Sequence, residues 1–178
     1  MNSVLEIIKK RRSIRKYKQA SVEYEKIIKI VEAARLAPSA SNRQSWRFIV
    51  ITDKNLVKLV VNEALGIINR WAITAPLIIV GCTVRSNIIT HYLGEMISKV
   101  KYHLIDLSIA MEHMVLEAEE LGLSTCWVGW FNERKMKKIL NIPFIWNVSA
   151  VLTVGYADPE YSPKPQKRHP IEKILTVK

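Results

Sequence analysis

The stretch RRSIRKY, residues 11–17, combines basic side chains and one hydroxyl directly after a short amphipathic helix pattern. In an extended chain, Arg11, Ser13 and Arg15 point to one side and Ile14 points to the other. One guanidinium group can donate two parallel hydrogen bonds to two oxygens of the same phosphate, so the pattern favours an anion site. A solvated basic edge and a nucleic-acid-binding patch are the two alternatives that this stretch leaves open.

The overall composition favours one soluble globular domain with anionic partners. The chain has 178 residues, of which 49% are hydrophobic and 24% charged, and its formal net charge is +11. That length is sufficient to bury a large core, so we expect a single domain over residues 1–178. The basic excess indicates nucleic acid, an acidic membrane or phosphorylated small molecules as partners, and charge alone does not choose among them.

The cysteines and the N-terminus favour a cytoplasmic location. Cys82 and Cys126 lie in separate apolar stretches without CxxC spacing, which predicts buried, reduced thiols. The N-terminus lacks the cationic head and apolar run of a signal peptide. The longest apolar run, Ala72 to Val84, is shorter than the roughly 20 residues that span a bilayer, so we expect no membrane segment.

Hydrophobic periodicity predicts helices and strands that mix without strict βαβ alternation. Helices are expected after Ser3, from about Ser21 to Pro38, from Asp53 through Ala64, from about Lys101 to Leu121 and from Asn132 through Leu140. Strands are expected at 46–52, 77–84, 124–130 and 147–156. The pattern fits an α+β sheet covered by helices.

Two segments have distinctive expected environments. In the strand at 46–52, three apolar residues alternate with Arg47 and two isoleucines, which predicts burial on both faces; the apolar three are Trp46, Phe48 and Val50. Residues 158–170 contain four prolines and little that could pack, so residues 158–178 should form an extended C-terminal arm. The apolar residues between Ile171 and Val177 would give that arm something to dock.

Several catalytic signatures are missing from the sequence. It contains no GxGxxG, Walker or GxSxG motif, and Cys126 has no evident base partner. The histidines show no metal-ligand spacing, so no metal site is predicted. We assign no catalytic side chain, and an enzyme built on this chain would need a cofactor to carry its chemistry.

Three polar segments exceed what folding requires. They are Arg11 to Arg15, Ser39 to Gln44, and Lys167-Arg168. The three segments make sense if they converge on one phosphorylated ligand with a polar ring edge. Asn42 and Gln44 would then contact ring carbonyl and N–H groups, although a turn residue and a cap are equally simple explanations.

Five motifs together make the chain resemble the nitroreductase family of FMN-dependent oxidoreductases, from Ile7 to about Ile174. They are RRSIRKY at 11–17, APSASNRQSWRF at 37–48, APLIIVGC at 75–82, GLSTCWVGWF at 122–131 and VGYADPEYSPKPQKRHPIEKI at 154–174. Their order and spacing make the resemblance specific. It implies a nitroreductase-like α+β fold with a central mixed, mainly antiparallel sheet, and a homodimer with two FMN molecules at the subunit interface.

The resemblance also implies roles for individual residues. The FMN phosphate and ribityl chain would be held by Arg11, Arg12, Ser13, Arg15, Lys167 and Arg168. Pro38, Ser39 and Ala40 would reach the flavin from the partner subunit, with Asn42 and Gln44 at the ring or ribityl chain. The backbone of Val128, Gly129 and Trp130 would lie near flavin N5.

The chain departs from the family pattern at several positions. Ser45 and Gln166 stand where proline and lysine are usual, and Trp130 replaces a small residue. The Trp130 indole would either border the substrate face or point into the core. Asn69 and Arg70 are the two candidates for the pyrimidine edge. Relatives vary most over 85–99, so the acceptor cannot be read from the sequence.

The implied reaction is two-electron transfer with ping-pong kinetics, in which NAD(P)H reduces FMN and a nitroaromatic, quinone or flavin acceptor then takes the hydride. A specialised use of reduced FMN, either flavin cleavage with oxygen or reductive dehalogenation, is the alternative within the family. The alternative outside it is a basic nucleic-acid-binding module. Trp46, Phe48 and Trp127 argue against that module, because they lie in predicted strands and not among exposed basic residues.

Overall fold

A four-stranded antiparallel sheet forms the centre of the fold in the computed structural model, which describes residues 3–84, 97 and 99–178. The strands are β1 (Trp46–Ile51), β2 (Leu77–Val84), β3 (Ser124–Val128) and β4 (Trp146–Gly155), in the order β1-β2-β4-β3. All three strand pairs are antiparallel. A parallel contact is present as the isolated bridge between Ser13 and Thr125. The predicted α+β class is confirmed, whereas most of the variable segment 85–99 lies outside the described residues.

In the part of the chain that the structure describes, five α-helices cover the sheet, and local capping groups fix several of their ends. They are α1 (Val4–Lys10), α2 (Tyr24–Arg35), α3 (Lys54–Val60), α4 (Tyr102–Glu120) and α5 (Glu133–Leu140). Ser3 and Glu6 form a complete capping box at α1. At the end of α4, Gly122 has a φ of 75° and the Leu123 N–H donates to the Ala118 carbonyl, which closes the helix with a left-handed turn.

The helix expected from Asp53 through Ala64 is interrupted. Asp53 caps α3 as predicted by accepting a hydrogen bond from the Leu56 N–H, but α3 ends at Val60. A π-helical turn, Val61–Leu65, follows and ends at Gly66, whose φ is 73°. A 3-10 turn, Ile67–Thr74, then leads into β2. Apolar periodicity alone does not distinguish an α-turn from a π-turn.

Both faces of the sheet are buried at its centre, which explains the nearly continuous apolar sequence of β2 and the burial of most of β4. One core cluster includes Ile79 and Leu152 together with residues of α2 and α4. The opposite cluster includes Ile78 and Val151 together with residues of α3 and α5. The predicted thiols, Cys82 and Cys126, are buried and unpaired as expected.

The edge strand β1 is less buried than its sequence suggests. Arg47 is exposed, and Phe48, Ile49 and Val50 are only half-buried. The prediction of burial on both faces is therefore only partly correct, because residues of both faces pack against the core clusters but the middle of the strand is not fully buried. In the described residues β1 has β2 as its only sheet neighbour, so its apolar residues do not have the cover that the central strands have.

The C-terminal arm begins where residues 16–18 pair with residues 156–158. The Lys18 N–H donates to the Tyr156 carbonyl at 2.9 Å, and the Asp158 N–H donates to the Lys16 carbonyl at 3.1 Å. Beyond Asp158 the arm has no helix or strand until the 3-10 turn Ile171–Lys173. The apolar tail residues, namely Ile171, Ile174, Leu175 and Val177, are all exposed on this chain.

Two glycines in the sheet should respond differently to an added methyl group. A Cβ on Gly155 would lie 2.6 Å from the Pro76 ring and 3.0 Å from Tyr17, whereas one on Gly81 would lie 2.5 Å from the Met111 sulfur. The proline ring cannot turn away, but a thioether side chain can adapt. We expect Gly155→Ala to cost about 1–3 kcal/mol of unfolding free energy and Gly81→Ala less, measured by urea denaturation. An equal or larger loss from Gly81→Ala would contradict this assignment.

Candidate functional site

The basic segment at residues 11–15 forms one wall of a cleft. It leaves α1 in an extended conformation, and the Ile14 N–H donates to the Thr125 carbonyl at 3.0 Å, so the segment lies against β3. Ile14 is buried with Ala75 and Tyr17. Arg11, Ser13 and Arg15 line the cleft on the opposite side. The alternating side-chain directions of the extended segment, together with the hydrogen bond from Ile14 to Thr125, therefore direct the polar side chains into the cleft.

The arm forms the other wall of the cleft, whose volume is about 500 Å³. The basic lining residues from the two walls are Arg11, Arg12, Arg15, Lys164, Lys167 and Arg168, and Ser13 and Tyr161 add hydroxyl groups. The residues that line it include no acidic side chain. Convergence of like charges without a counter-charge favours an anionic ligand.

Gln166 holds the arm against the basic segment. Its Nε2 donates to the Arg11 carbonyl at 2.6 Å, which connects positions 155 residues apart. The arm is also anchored at its base, where Lys16 Nζ lies 3.2 Å from Asp158 and 3.4 Å from Glu160. The sequence marks Gln166 as a departure from the family pattern but does not reveal its partner. Gln166 is thus a structural link that the sequence reasoning missed.

The cleft arginines are held by uncharged groups. Arg12 Nη1 donates to the carbonyls of Lys9, Lys10 and Arg11 at 2.6, 3.2 and 3.0 Å, which satisfies the end of α1. The Arg15 guanidinium lies 5.7 Å from the centroid of the Trp71 ring. Arg168 Nη1 donates to the Lys167 carbonyl at 3.0 Å. These contacts orient the guanidinium groups without neutralising them.

Two titratable groups lie close to the basic wall. Burial raises the pKa of the Glu112 carboxyl, while the Arg11 charge and a hydrogen bond with the Trp127 side chain oppose that rise. Burial also raises the pKa of the Cys126 thiol, against the influence of Arg15. A buried protonated thiol is a poor nucleophile, so Cys126 is a core residue and not a reactive group.

The amide-rich loop at residues 38–44 is held in an unusual conformation. Ser41, Asn42 and Gln44 have φ values of 52°, 52° and 51°, in the left-handed region. Buried Asp106 accepts a hydrogen bond from the Ala40 N–H at 3.0 Å. Non-glycine residues in this region cost energy and are often found at functional sites.

The side chains of the amide-rich loop bond within the loop. Ser39 Oγ accepts from the Gln44 N–H at 3.0 Å, and Gln44 Nε2 donates to Asn42 Oδ1 at 3.0 Å. The loop residues that were predicted to contact FMN do not line the cleft of their own chain. They are Pro38, Ser39, Ala40, Asn42 and Gln44. The structure therefore separates these residues from the basic cleft within one chain.

The turn that follows β3 is exposed at Gly129 and Trp130. The strand ends at Val128, which is buried, and not at Trp130 as the sequence suggested. Trp130 is 77% exposed, so the interpretation of its indole as a core group is wrong. A Cβ added to Gly129 would meet nothing within 4 Å. The surface of this turn is open to a ligand.

Asn69 and Arg70, the two candidates for a flavin contact, occupy different environments. Asn69 is buried, and its Nδ2 donates to the Trp130 carbonyl at 2.7 Å and to the Leu65 carbonyl at 3.2 Å. Arg70 is exposed and lines a separate cavity of about 270 Å³ beside Asn62. Asn69 thus connects the 3-10 turn to the turn after β3, which the sequence did not indicate.

Two kinds of functional element are absent from the described part of the chain. No group of three or more His, Cys, Asp or Glu side chains there could hold a metal ion. None of the helices resolved in residues 3–84 and 99–178 has the length and apolar character needed to cross a membrane.

The chain is similar in sequence and fold to known nitroreductases. The model of the nitroreductase family matches residues 8–72 and 63–156. A protein of Archaeoglobus fulgidus named as an NADH dehydrogenase/NAD(P)H nitroreductase is 35% identical over 166 residues, covering 90% of this chain and 88% of that protein. The NAD(P)H-dependent FMN reductase of Bacillus subtilis is 28% identical, covering 93% of this chain and 70% of its own length. The structure of an FMN-dependent nitroreductase from Clostridium difficile R20291 superimposes with a TM-score of 0.80 at 30% identity, covering 98% of this chain and 99% of that one.

Proposed function

The chain belongs to the nitroreductase family, and we propose that it is an FMN-dependent oxidoreductase that transfers hydride from NAD(P)H to a small-molecule acceptor. The observation that carries the proposal is the cleft in which basic side chains from both ends of the chain converge. A phosphate monoester suits that cleft because it offers several anionic oxygens to neighbouring guanidinium groups. The names of the relatives in Bacillus subtilis and Clostridium difficile support FMN as the ligand.

The cleft residues take the phosphate end of the cofactor in this proposal. Arg11, Arg15 and Arg168 supply charge, and Ser13 supplies a hydroxyl donor. Arg12 and Lys167 add to the positive potential, although one Arg12 nitrogen already caps α1. FMN, when bound, supplies the two-electron chemistry, so no side chain is assigned a catalytic role.

The turn after β3 is proposed to face the reactive ring. Val128 anchors the turn in the core, while the residues Gly129 and Trp130 are exposed. The empty space at Gly129 accommodates the close approach of a flat ligand. The backbone at these positions would donate hydrogen bonds to the ring and help to orient it.

A homodimer explains the features that one chain leaves incomplete. Pro38, Ser39 and Ala40 lie outside the cleft of their own chain, so a second copy would bring them to the flavin. The apolar tail at residues 171–177 is exposed and needs a surface to cover it. Both features favour two flavin sites that are each completed by the partner subunit.

The alternative of a nucleic-acid-binding module has less structural support. Trp46 is buried, and Phe48 and Trp127 pack against the same core. These rings cannot form the exposed stacking platform that single-stranded nucleic acid requires. Flavin cleavage and dehalogenation would use the same cofactor cleft, so cofactor binding does not separate them from quinone or nitroaromatic reduction. Product analysis of the FMN-loaded enzyme, with a quinone, a nitroaromatic and a halogenated phenol offered in turn, would separate them.

Removing one cleft arginine should weaken FMN binding. Charge-assisted hydrogen bonds contribute roughly 1.5–3 kcal/mol each, so we expect Arg15→Ala and Arg168→Ala to raise the FMN dissociation constant about ten- to a hundredfold. Flavin fluorescence titration measures the change. Arg134→Ala is the matched control, because it removes the same charge from exposed α5. Wild-type affinity in both cleft variants would contradict the phosphate assignment.

Trp130→Gly should alter acceptor choice more than stability. The indole is 77% exposed, so its removal opens space without leaving a core cavity. We expect kcat/KM for a bulky quinone to rise relative to that for a small quinone, with little change in melting temperature. A constant ratio together with a sharply lower melting temperature would contradict this role.

Weakening the apolar tail should couple subunit dissociation to flavin loss. We expect Ile174→Ser/Leu175→Ser to raise the dimer dissociation constant and to lower FMN occupancy at the same protein concentrations. Lys173→Ser/Lys178→Ser is the control that changes polar positions of the same tail. Sedimentation velocity at several concentrations, recorded at protein and flavin wavelengths, follows both quantities. A wild-type monomer with full FMN occupancy would refute the dimeric site.

A further inference from the structure

A buried asparagine connects the turn after β3 to the turn that precedes β2. Asn69 is only 9% exposed, and its Nδ2 lies 2.7 Å from the Trp130 carbonyl oxygen. We propose that Asn69 is a positioning residue that fixes the Gly129–Trp130 backbone against which the flavin ring is oriented. This inference rests on the proposed function for its chemical meaning, but its structural part can be tested without flavin.

The Asn69 side-chain amide donates its hydrogen bonds within the protein. Nδ2 carries two hydrogens, and the two acceptors within reach are the carbonyls of Trp130 and Leu65. The Leu65 carbonyl belongs to the π-helical turn that ends at Gly66, so the amide joins that turn to the ring-facing backbone. With both amide hydrogens engaged, Asn69 acts through Trp130 and does not donate to a ligand itself.

A second contact holds the far side of the same turn. The Asn132 N–H donates to the Ala64 carbonyl at 2.7 Å. The turn is therefore attached to residues 64–69 on both sides of Phe131. The Trp130 N–H, in contrast, donates to no group among the described residues. The Trp130 N–H is therefore available to a ligand, while the carbonyl of the same residue is held by Asn69.

The energetic reason for the arrangement is burial. The Asn69–Trp130 contact is partly buried, so a Trp130 carbonyl that loses its donor there costs up to about 1–3 kcal/mol, which the turn can avoid by rotating its peptide toward water. That rotation would change the direction of the neighbouring N–H groups. Removing the Asn69 amide should therefore loosen the turn while leaving the cationic cleft, which is built from other residues, in place.

Hydrogen exchange on the flavin-free protein tests the structural step. We expect Asn69→Ala to speed amide exchange in a peptide covering residues 128–132 by about tenfold, as loss of a local anchor lowers the cost of local opening. Asn62→Ala is the matched control, since Asn62 is exposed on the π-helical turn and makes no described side-chain hydrogen bond. Unchanged exchange in Asn69→Ala would overturn the positioning role.

Asn69→Asp provides a readout that a purely structural residue would not give. Its protonated carboxyl could donate to the Trp130 carbonyl, whereas its carboxylate would repel that oxygen. Burial raises the pKa of such a carboxyl, so the donor should return as the pH falls. We expect the rate of flavin reduction by NADH, relative to wild type, to rise about fivefold or more from pH 8 to pH 5.5 in Asn69→Asp and to stay flat in Asn69→Ala.

Flavin affinity separates this inference from the proposed function. In both Asn69 variants the FMN dissociation constant should change less than about threefold, because the phosphate contacts are intact. A tenfold loss that parallels the loss of rate would make Asn69 a direct flavin ligand and overturn the inference. A wild-type protein that binds no FMN would refute the proposed function, while the hydrogen-exchange result would still decide the role of Asn69.

Discussion

The pairing of residues 16–18 with residues 156–158 is the constraint on which the candidate site depends. It brings the start of the chain and the C-terminal arm together, although about 140 residues separate them. Tyr17 anchors the pairing, because its ring is buried and its hydroxyl lies 2.7 Å from Thr153 Oγ1. This anchor helps to hold the two sets of basic side chains on opposite walls of the same cleft.

The concentration of positive charge in the cleft lowers the stability of the ligand-free fold. Several basic groups face one cavity, and the arginines among them contact mainly carbonyl oxygens and an aromatic ring. Mutual repulsion is the cost of this arrangement, and an anionic ligand removes it. Two other features also cost free energy in the isolated chain: the left-handed backbone of the loop at residues 38–44 and the exposed apolar side chains of the tail. A ligand and a second subunit would therefore stabilise the same folded state.

Local signals in the sequence predicted most of the elements. Ser3, Asp53 and Asn132 each cap the helix that they were expected to start, and Gly122 ends α4 in a left-handed conformation. A nearly continuous apolar run identified β2 and an alternating pattern identified β4, and both faces of these central strands are covered. These features depend on residues close in sequence, so pattern reasoning reaches them.

Features set by distant contacts were harder to predict. The partial exposure of β1 follows from its edge position, and the π-helical turn after Val60 has no distinct apolar period. The exposure of Trp130 and the bonds of Asn69 and Gln166 depend on which turns meet in space. The basic residues of the site could be selected from sequence because their clustering is local. The residues that hold them in place could not, because their partners are far away along the chain.

Comparison of FMN with riboflavin is the measurement that most directly tests the central claim that the cationic cleft recognises a phosphate. The two ligands share the ring and the ribityl chain and differ only in the phosphate. We expect FMN to bind at least about a hundredfold more tightly than riboflavin at low salt, and the difference to shrink as ionic strength rises. Equal affinities for the two ligands, unaffected by salt, would contradict the account.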